Sequence, residues 1–399
     1  MVVAGQSSVA VLFDLLRTHP QTTRTALVQE SGLSKATVSE AIAELLAHGF
    51  IAEVGKHQPG RGRSQVVLEF NPSTCLVIGV QFTETGCHAV LADLRAGAVA
   101  VTGRPLTGTR PDDFIEALCH CVEELSGVAD VPILGVGVGV PGLVDPAGRV
   151  VVASVPYGWD QVPIADMLEP RLNLPVVVAN RAKAAALGEY WQGNHDPAHA
   201  RNHLTYVHVG SGIVTGFVID GELFFGSGGA AGEIGHMTIV PDGPLCGCGN
   251  RGCLHMLASE SAIVRSVRAK SRHSSEPGNG NVLPSLATIT IPSLIAAAGE
   301  GNEIVLEAVA EAGAYLGIAI ANAVNLMNPS LVVIGGSIAG FGEPLFAAIR
   351  AEVRQRALWD ALNGVPIVPS ALGDDAGTVG AAALFLDQVN VGALLASRS

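Results

Sequence analysis

Val9, Leu12, Phe13 and Leu16 recur at the three- and four-residue spacing of one helix face, which predicts an amphipathic helix near the N-terminus. Thr22 or Thr23 can cap a second helix, TRTALVQE, that stops at Ser31-Gly32. Ser34 can cap a third, with Val38, Ile42, Leu45 and Leu46 as its buried stripe and Gly49 as its end. Two short helices across a Gly-containing turn predict a helix-turn-helix. FIAEVG and VVLEF then read as two strands, joined by the basic loop KHQPGRGRSQ in the manner of a wing.

Beyond this segment the pattern changes to α/β. CLVIGVQFTETGCHAVLADLRAG and TYVHVGSGIVTGFVIDGELFFG repeat one plan of strand, polar Gly-containing turn, strand and acidic turn. Each is followed later by an apolar Gly-rich strand and turn, VPILGVGVGVPGLVD in one half and NPSLVVIGGSIAG in the other. FIEALCHCVEEL, RAKAAALGEYW and VLEAVAEAGAYLGIAIANAVNLM are the helices expected between them, and SRHSSEPGNGN is a polar insertion expected to be a loop. Two related lobes with a cleft between them follow. The expected domains are 1–72 for the winged helix-turn-helix, 73–195 for the first lobe and 196–375 for the second, with the C-terminal helix 376–399 a candidate to complete the first lobe.

Composition agrees with a buried globular chain of more than one core: 399 residues, 48% hydrophobic and 15% charged. Runs such as VPILGVGVGVPGLV are broken by Gly and Pro before the roughly 20 residues a membrane span needs. The N-terminus lacks the basic start and cleavage site of a secretory signal, so a cytoplasmic protein with no membrane partner is expected. The net charge of −13 lies wholly outside residues 1–70, where six Lys/Arg balance six Asp/Glu. An acidic body with a neutral N-terminal module fits local rather than blanket contact with a polyanion.

Burying the stripe of the third helix leaves Lys35, Thr37, Ser39 and Glu40 on its outer N-terminal part, where such helices meet base edges in the major groove. Gly60 and Gly62 free Arg61 and Arg63 at the wing tip to enter a minor groove. Double-stranded DNA is therefore the expected macromolecular partner.

LCGCGNRGCLH places three of the seven cysteines within eight positions. Clustered thiols in a cytoplasmic chain suggest metal or redox chemistry. Cys246, Cys248 and Cys253 on a Gly-rich loop, with His236 ten residues before the first, supply a Cys3His set. Four soft ligands without a carboxylate suit one structural Zn2+ per chain. Cys75, Cys87, Cys119 and Cys121 fall in strand or helix patterns and are expected in the core.

GEIGHMTIVPDGPLCGCGNRGCL is very similar to the zinc and sugar-binding signature of the ROK family of repressors, open reading frames and sugar kinases. GRGRS, VPGLVD, GWDQVPIADMLEPRLNLPVVVAN and NPSLVVIGGS extend the resemblance over nearly the whole chain, and the leading winged helix resembles that of the family's regulators. The resemblance implies an actin-like (ribonuclease H-like) two-lobed α/β body with a zinc-binding loop, a sugar between the lobes, and His236 bridging zinc to the sugar pocket.

Against that family pattern this chain departs at the kinase positions. The Asp-x-Gly-Gly-Thr-like phosphate turn reads Gln81-Phe82-Thr83-Glu84-Thr85, with Phe82 expected to add bulk there. Asn-Asp-Ala-Asn reads Asn180-Arg181-Ala182-Lys183, and an arginine cannot take a proton from a sugar hydroxyl. No enzyme and no ATP are expected. Asn180, Glu233 and His236 match the family's hydroxyl-binding positions, whereas Arg181 and His255 stand where acids are usual, and Pro156 replaces an asparagine. Two readings of the pocket stay open: an anionic sugar derivative held by Arg181 and His255, or Arg181 paired with Glu233 in a disused site. The expected function is a DNA-binding regulator, repressor in sign, of carbohydrate-related genes, acting as a homodimer or homotetramer. A sugar kinase with a DNA-binding appendage and a ligand-independent DNA-binding oligomer are the alternatives.

Overall fold

Ser7 accepts a hydrogen bond from the Ala10 amide and so starts α1 (Ser8–Thr18), whose buried face is Val9, Leu12, Phe13 and Leu16. The computed structural model of the chain describes residues 7–57, 64–83, 86–195, 203–273, 289–358 and 365–388. After α1 come β1 (Gln21–Thr23), α2 (Arg24–Ser31), α3 (Lys35–Ala47), β2 (Ile51–His57) and β3 (Gln65–Phe70). Thr23 caps α2, Gly32 at φ +68° ends it, and Ser34 caps α3. The three strands form an antiparallel sheet in the order β1-β3-β2, and β1 is a strand the sequence pattern did not predict. Phe13 packs edge-on against both Phe50 and Phe70, joining α1 to the strands. In α3 it is Ala41 that joins Val38, Ile42 and Leu45 in the core, while Leu46 stays half-buried.

The first lobe comprises β4 (Leu76–Phe82), β5 (Gly86–Asp93), β6 (Ala98–Pro105), α4 (Pro111–Ser126), β7 (Ile133–Val140), β8 (Leu143–Val144), β9 (Val151–Ser154), β10 (Trp159–Val162), α5 (Ile164–Leu172) and β11 (Val176–Asn180). Its main sheet runs β11-β7-β4-β5-β6, and β8, β9 and β10 make a smaller one. α4 and α5 pack together on this lobe, around a core that includes Cys87, Phe114, Cys121 and Trp159. Cys119 is half-buried on the same helix as Cys121.

α6 (Arg181–Gln192) leads to β12 (His203–Val209), β13 (Ile213–Ile219) and β14 (Glu222–Leu223), then α7 (Leu254–Ala258), α8 (Glu260–His273), α9 (Ile291–Gly299), α10 (Glu303–Met327), β15 (Leu331–Gly335), α11 (Glu343–Arg356) and β16 (Ile367–Pro369). The second sheet is β14-β13-β12-β15-β16, with β12, β15 and β16 parallel. α10 is long and apolar enough to cross a membrane. Here it packs on α7, α8, α9 and α11, and Gly313 and Gly317 let it approach the Leu345 and Ile349 carbonyls of α11.

Two helices fill the space between the sheets. α12 (Ala376–Gln388) lies on β4 and β7 of the first sheet, and α6 lies on β12 and β13 of the second. Glycines set the separation: a Cβ on Gly79 or Gly137 would strike the backbone of α12, and one on Gly216 the backbone of α6. The insertion around residues 274–288 and the wing tip lie outside the described residues.

Candidate functional site

The N-terminal half of α3 presents Lys35, Ser39 and Glu40 to solvent. Thr37 is half-buried, its hydroxyl 2.8 Å from that of Ser34. Arg24 on α2 pairs with Glu53 on β2 at 3.1 Å, so this cation is held at the side of the module. Arg61 and Arg63 lie outside the described residues.

In the cleft, Asn180 ends β11 and caps α6, accepting from the Ala182 amide while its Nδ2 donates to the Gly142 carbonyl at 2.8 Å. Arg181 lines a cavity of about 370 Å3 with Gln81, His88, Tyr206, Ser337 and Asp374. The Oε1 of Gln81 is buried without a partner among the described residues, facing Gly377 at the start of α12. Phe82 departs from the expectation: alternation along β4 turns it away from Gln81, and its ring packs 4.8 Å from Phe114 in the first-lobe core. Gln81 thus faces the cavity, and the bulk of Phe82 is spent elsewhere.

Glu233, His236 and His255 are not among the residues lining that cavity. Besides His236, the positive group acting on Glu233 is Lys183, which sequence reasoning noted but did not count as a site residue. Lys183 is 2% exposed; its Nζ donates to the Gly229 carbonyl and lies 5.9 Å from the Phe225 ring centre. Burial lowers the Lys183 pKa, and burial raises that of Glu233 against the pull of His236 and Lys183. A lysine within RAKAAALGE, an otherwise small-residue face that must pack between sheets, was the available signal. Burial also lowers the pKa of half-buried His255, with His236 and Arg265 adding to the effect.

The ligand atoms of His236, Cys246, Cys248 and Cys253 all lie within 4.8 Å of one another. Cys246 Sγ is 3.8 Å from His236 Nδ1, and Cys248 Sγ is 3.7 Å from Cys253 Sγ. Tetrahedral zinc with Zn–S bonds of about 2.3 Å needs ligand atoms roughly 3.8 Å apart, so the donor set fits. The Asn250 backbone holds the Cys248 thiol down at about 7, whereas burial and the neighbouring thiols push Cys253 up to about 12. A cation would let all three ionise together. Short bridges Thr238–Cys253 and Leu245–Arg251 shape the loop, and a Cβ on Gly252, at φ +63°, would strike the Val240 carbonyl.

The profile of the ROK family matches residues 77–388, and that of the IclR helix-turn-helix domain matches residues 9–55. A xylose repressor of Caldicellulosiruptor bescii is 31% identical over 370 residues, 92% of each chain. The structure of a ROK family transcriptional regulator homologous to the E. coli MLC protein superposes with a TM-score of 0.83 at 27% identity, covering 98% of both chains. That of a ROK family glucokinase from Streptomyces griseus, in complex with glucose and AMPPNP, gives 0.69 at 31% identity over 77% of this chain and 98% of its own. With a two-lobed body, a Cys3His loop and a profile match over most of its length, the chain belongs to the ROK family.

Proposed function

We propose that this chain is a sugar-responsive, DNA-binding transcriptional repressor. The observation that carries the reading is the union, in one chain, of a helix-turn-helix module with a ROK body, an arrangement matched over 98% of its length by a transcriptional regulator. Lys35, Thr37, Ser39 and Glu40 of α3 would read base edges, with Arg61 and Arg63 at the wing tip. A homodimer or homotetramer would present two such modules to paired half-sites.

The body serves as a sensor. Gln81 and Arg181 stand where a kinase needs a phosphate turn and a base, which supports a body without phosphoryl transfer and without ATP chemistry. His236, Cys246, Cys248 and Cys253 would hold one zinc ion, which fixes the loop beside Glu233. Asn180, Glu233 and His236 would bind sugar hydroxyls. The Arg181 cavity also contains Glu260, Asp374 and Asp375, and Glu233 and His236 are not among its lining residues. Relatives named xylose repressors make xylose the first probe.

The test is selection from sheared genomic DNA at near-physiological salt, followed by sequencing of the retained fragments. Enrichment of a few paired half-sites is expected, and Lys35→Ala should weaken it. Broad retention without a shared site would contradict the reading.

A further inference from the structure

The winged helix meets the body at a contact that neither DNA reading nor sugar binding uses. Arg17, in the last turn of α1, places its guanidinium carbon 3.7 Å from the centre of the Trp191 ring. Its side chain is only 14% exposed, and Asp14 lies 3.6 Å away. Trp191 is the penultimate residue of α6, and the next residue, Gln192, donates through Nε2 to the Arg95 carbonyl of the first lobe. Asp387, at the end of α12, adds a second negative charge acting on Arg17.

The opposite ends of both helices are in the cleft. α6 starts at Asn180 and Arg181, and α12 starts with Ala376, Gly377 and Thr378 on the cavity wall. Twelve residues of helix span about 18 Å, so one rigid element connects sugar-binding positions to Arg17. α12 grips the first sheet and α6 the second, and any change in lobe angle must shift this pair. The winged helix is separately tied to the first lobe, where the Thr74 hydroxyl donates to the Gly49 carbonyl at 3.0 Å. It therefore rests on two supports that a ligand between the lobes would displace relative to each other.

We propose that Arg17 is the positioning residue that couples the cleft to the DNA-binding module: stacked on Trp191, it holds the winged helix in one orientation, and movement of α6 re-aims it. This rests on the sugar-responsive reading above. Occupancy can shift the orientation only by its differential affinity for the two lobe arrangements. A stacked cation is a contact that small displacement breaks, because the attraction requires the charge over the ring face.

The experiment uses the full-length protein, a selected operator fragment and xylose as the probe. Operator affinity is read by fluorescence anisotropy with and without saturating xylose, and xylose affinity by calorimetry. For wild type, xylose is expected to weaken operator binding by about tenfold or more, within the usual range of allosteric coupling. In Arg17→Ala that ratio should fall to near one while xylose affinity stays within about twofold, and Arg17→Lys should recover part of it. With 5-fluorotryptophan incorporated, the Trp191 resonance, assigned by Trp191→Phe, should move on adding xylose to wild type. That readout does not depend on the stability of any Arg17 variant. A wild-type ratio in folded Arg17→Ala, or a Trp191 resonance unmoved by saturating sugar, would overturn the coupling alone. Operator affinity of wild type that no sugar alters would overturn the sensor reading, and the coupling with it.

Discussion

Gly188 of α6 and Gly380 of α12 meet with no side chain between them: a Cβ on Gly188 would lie 2.8 Å from the amide nitrogen and 2.9 Å from the Cα of Gly380. On the other side of the contact, a Cβ on Gly380 would fall on the carbonyl oxygen of Ala184. Backbone cannot yield as a flexible side chain can. Gly380→Ala is therefore expected to destabilise the chain by about 3 kcal/mol, the upper part of the usual cost of overpacking. Thermal unfolding measures it, and an unchanged midpoint would show that the two helices are not held this closely.

The four soft ligands give a second prediction. Purified wild-type protein should carry one zinc per chain by elemental mass spectrometry. Cys248→Ser should lose it, open residues 245–253 to protease and abolish the sugar response. Full zinc content in Cys248→Ser would show that the metal is held elsewhere.

Phosphoryl transfer should be absent. Incubation with ATP and either glucose or xylose is expected to give no sugar phosphate above a protein-free control. Sustained turnover would mean that Gln81 and Arg181 do not mark a disused kinase site.

Glu189 supplies a pH dependence. Its side chain is fully buried; burial raises its pKa, but hydrogen bonds from His195 at 2.6 Å, Ser370 and the Leu372 amide outweigh this and leave the folded value lowered. A lowered carboxylate pKa contributes stability that is fully present above the unfolded value of about 4.5 and is lost as pH falls through the folded value. Glu189→Gln should cost about 2 kcal/mol at pH 7, as for a buried hydrogen-bonded charge, and should flatten the stability curve below about pH 4.5. Parallel acid limbs in the two proteins would contradict this assignment.

How much of this was legible in sequence differs by element. The three N-terminal helices were, because caps at Thr23 and Ser34 and a 3.6-residue stripe are local signals. β1 was not: Gln21–Thr23 is three residues long and exists through pairing with Glu69, Leu68 and Val67 far along the chain. The Cys3His set was written in spacing alone. Lys183 was not counted as a site residue because its neighbours Gly229, Glu233 and Phe225 come from a distant segment; RAKAAALGE signals that the lysine is buried but not what it meets. The same holds for Arg17 and Trp191, 174 positions apart, where only the folded chain sets cation over ring.

The central claim is that one chain binds a specific operator and lets go when sugar enters the cleft. Anisotropy titration of the selected operator fragment, at near-physiological salt with and without saturating xylose, addresses it most directly. The account predicts tight, sequence-dependent binding that sugar weakens by about tenfold or more. Equal binding to operator and scrambled DNA, unmoved by xylose and other sugars, would contradict it.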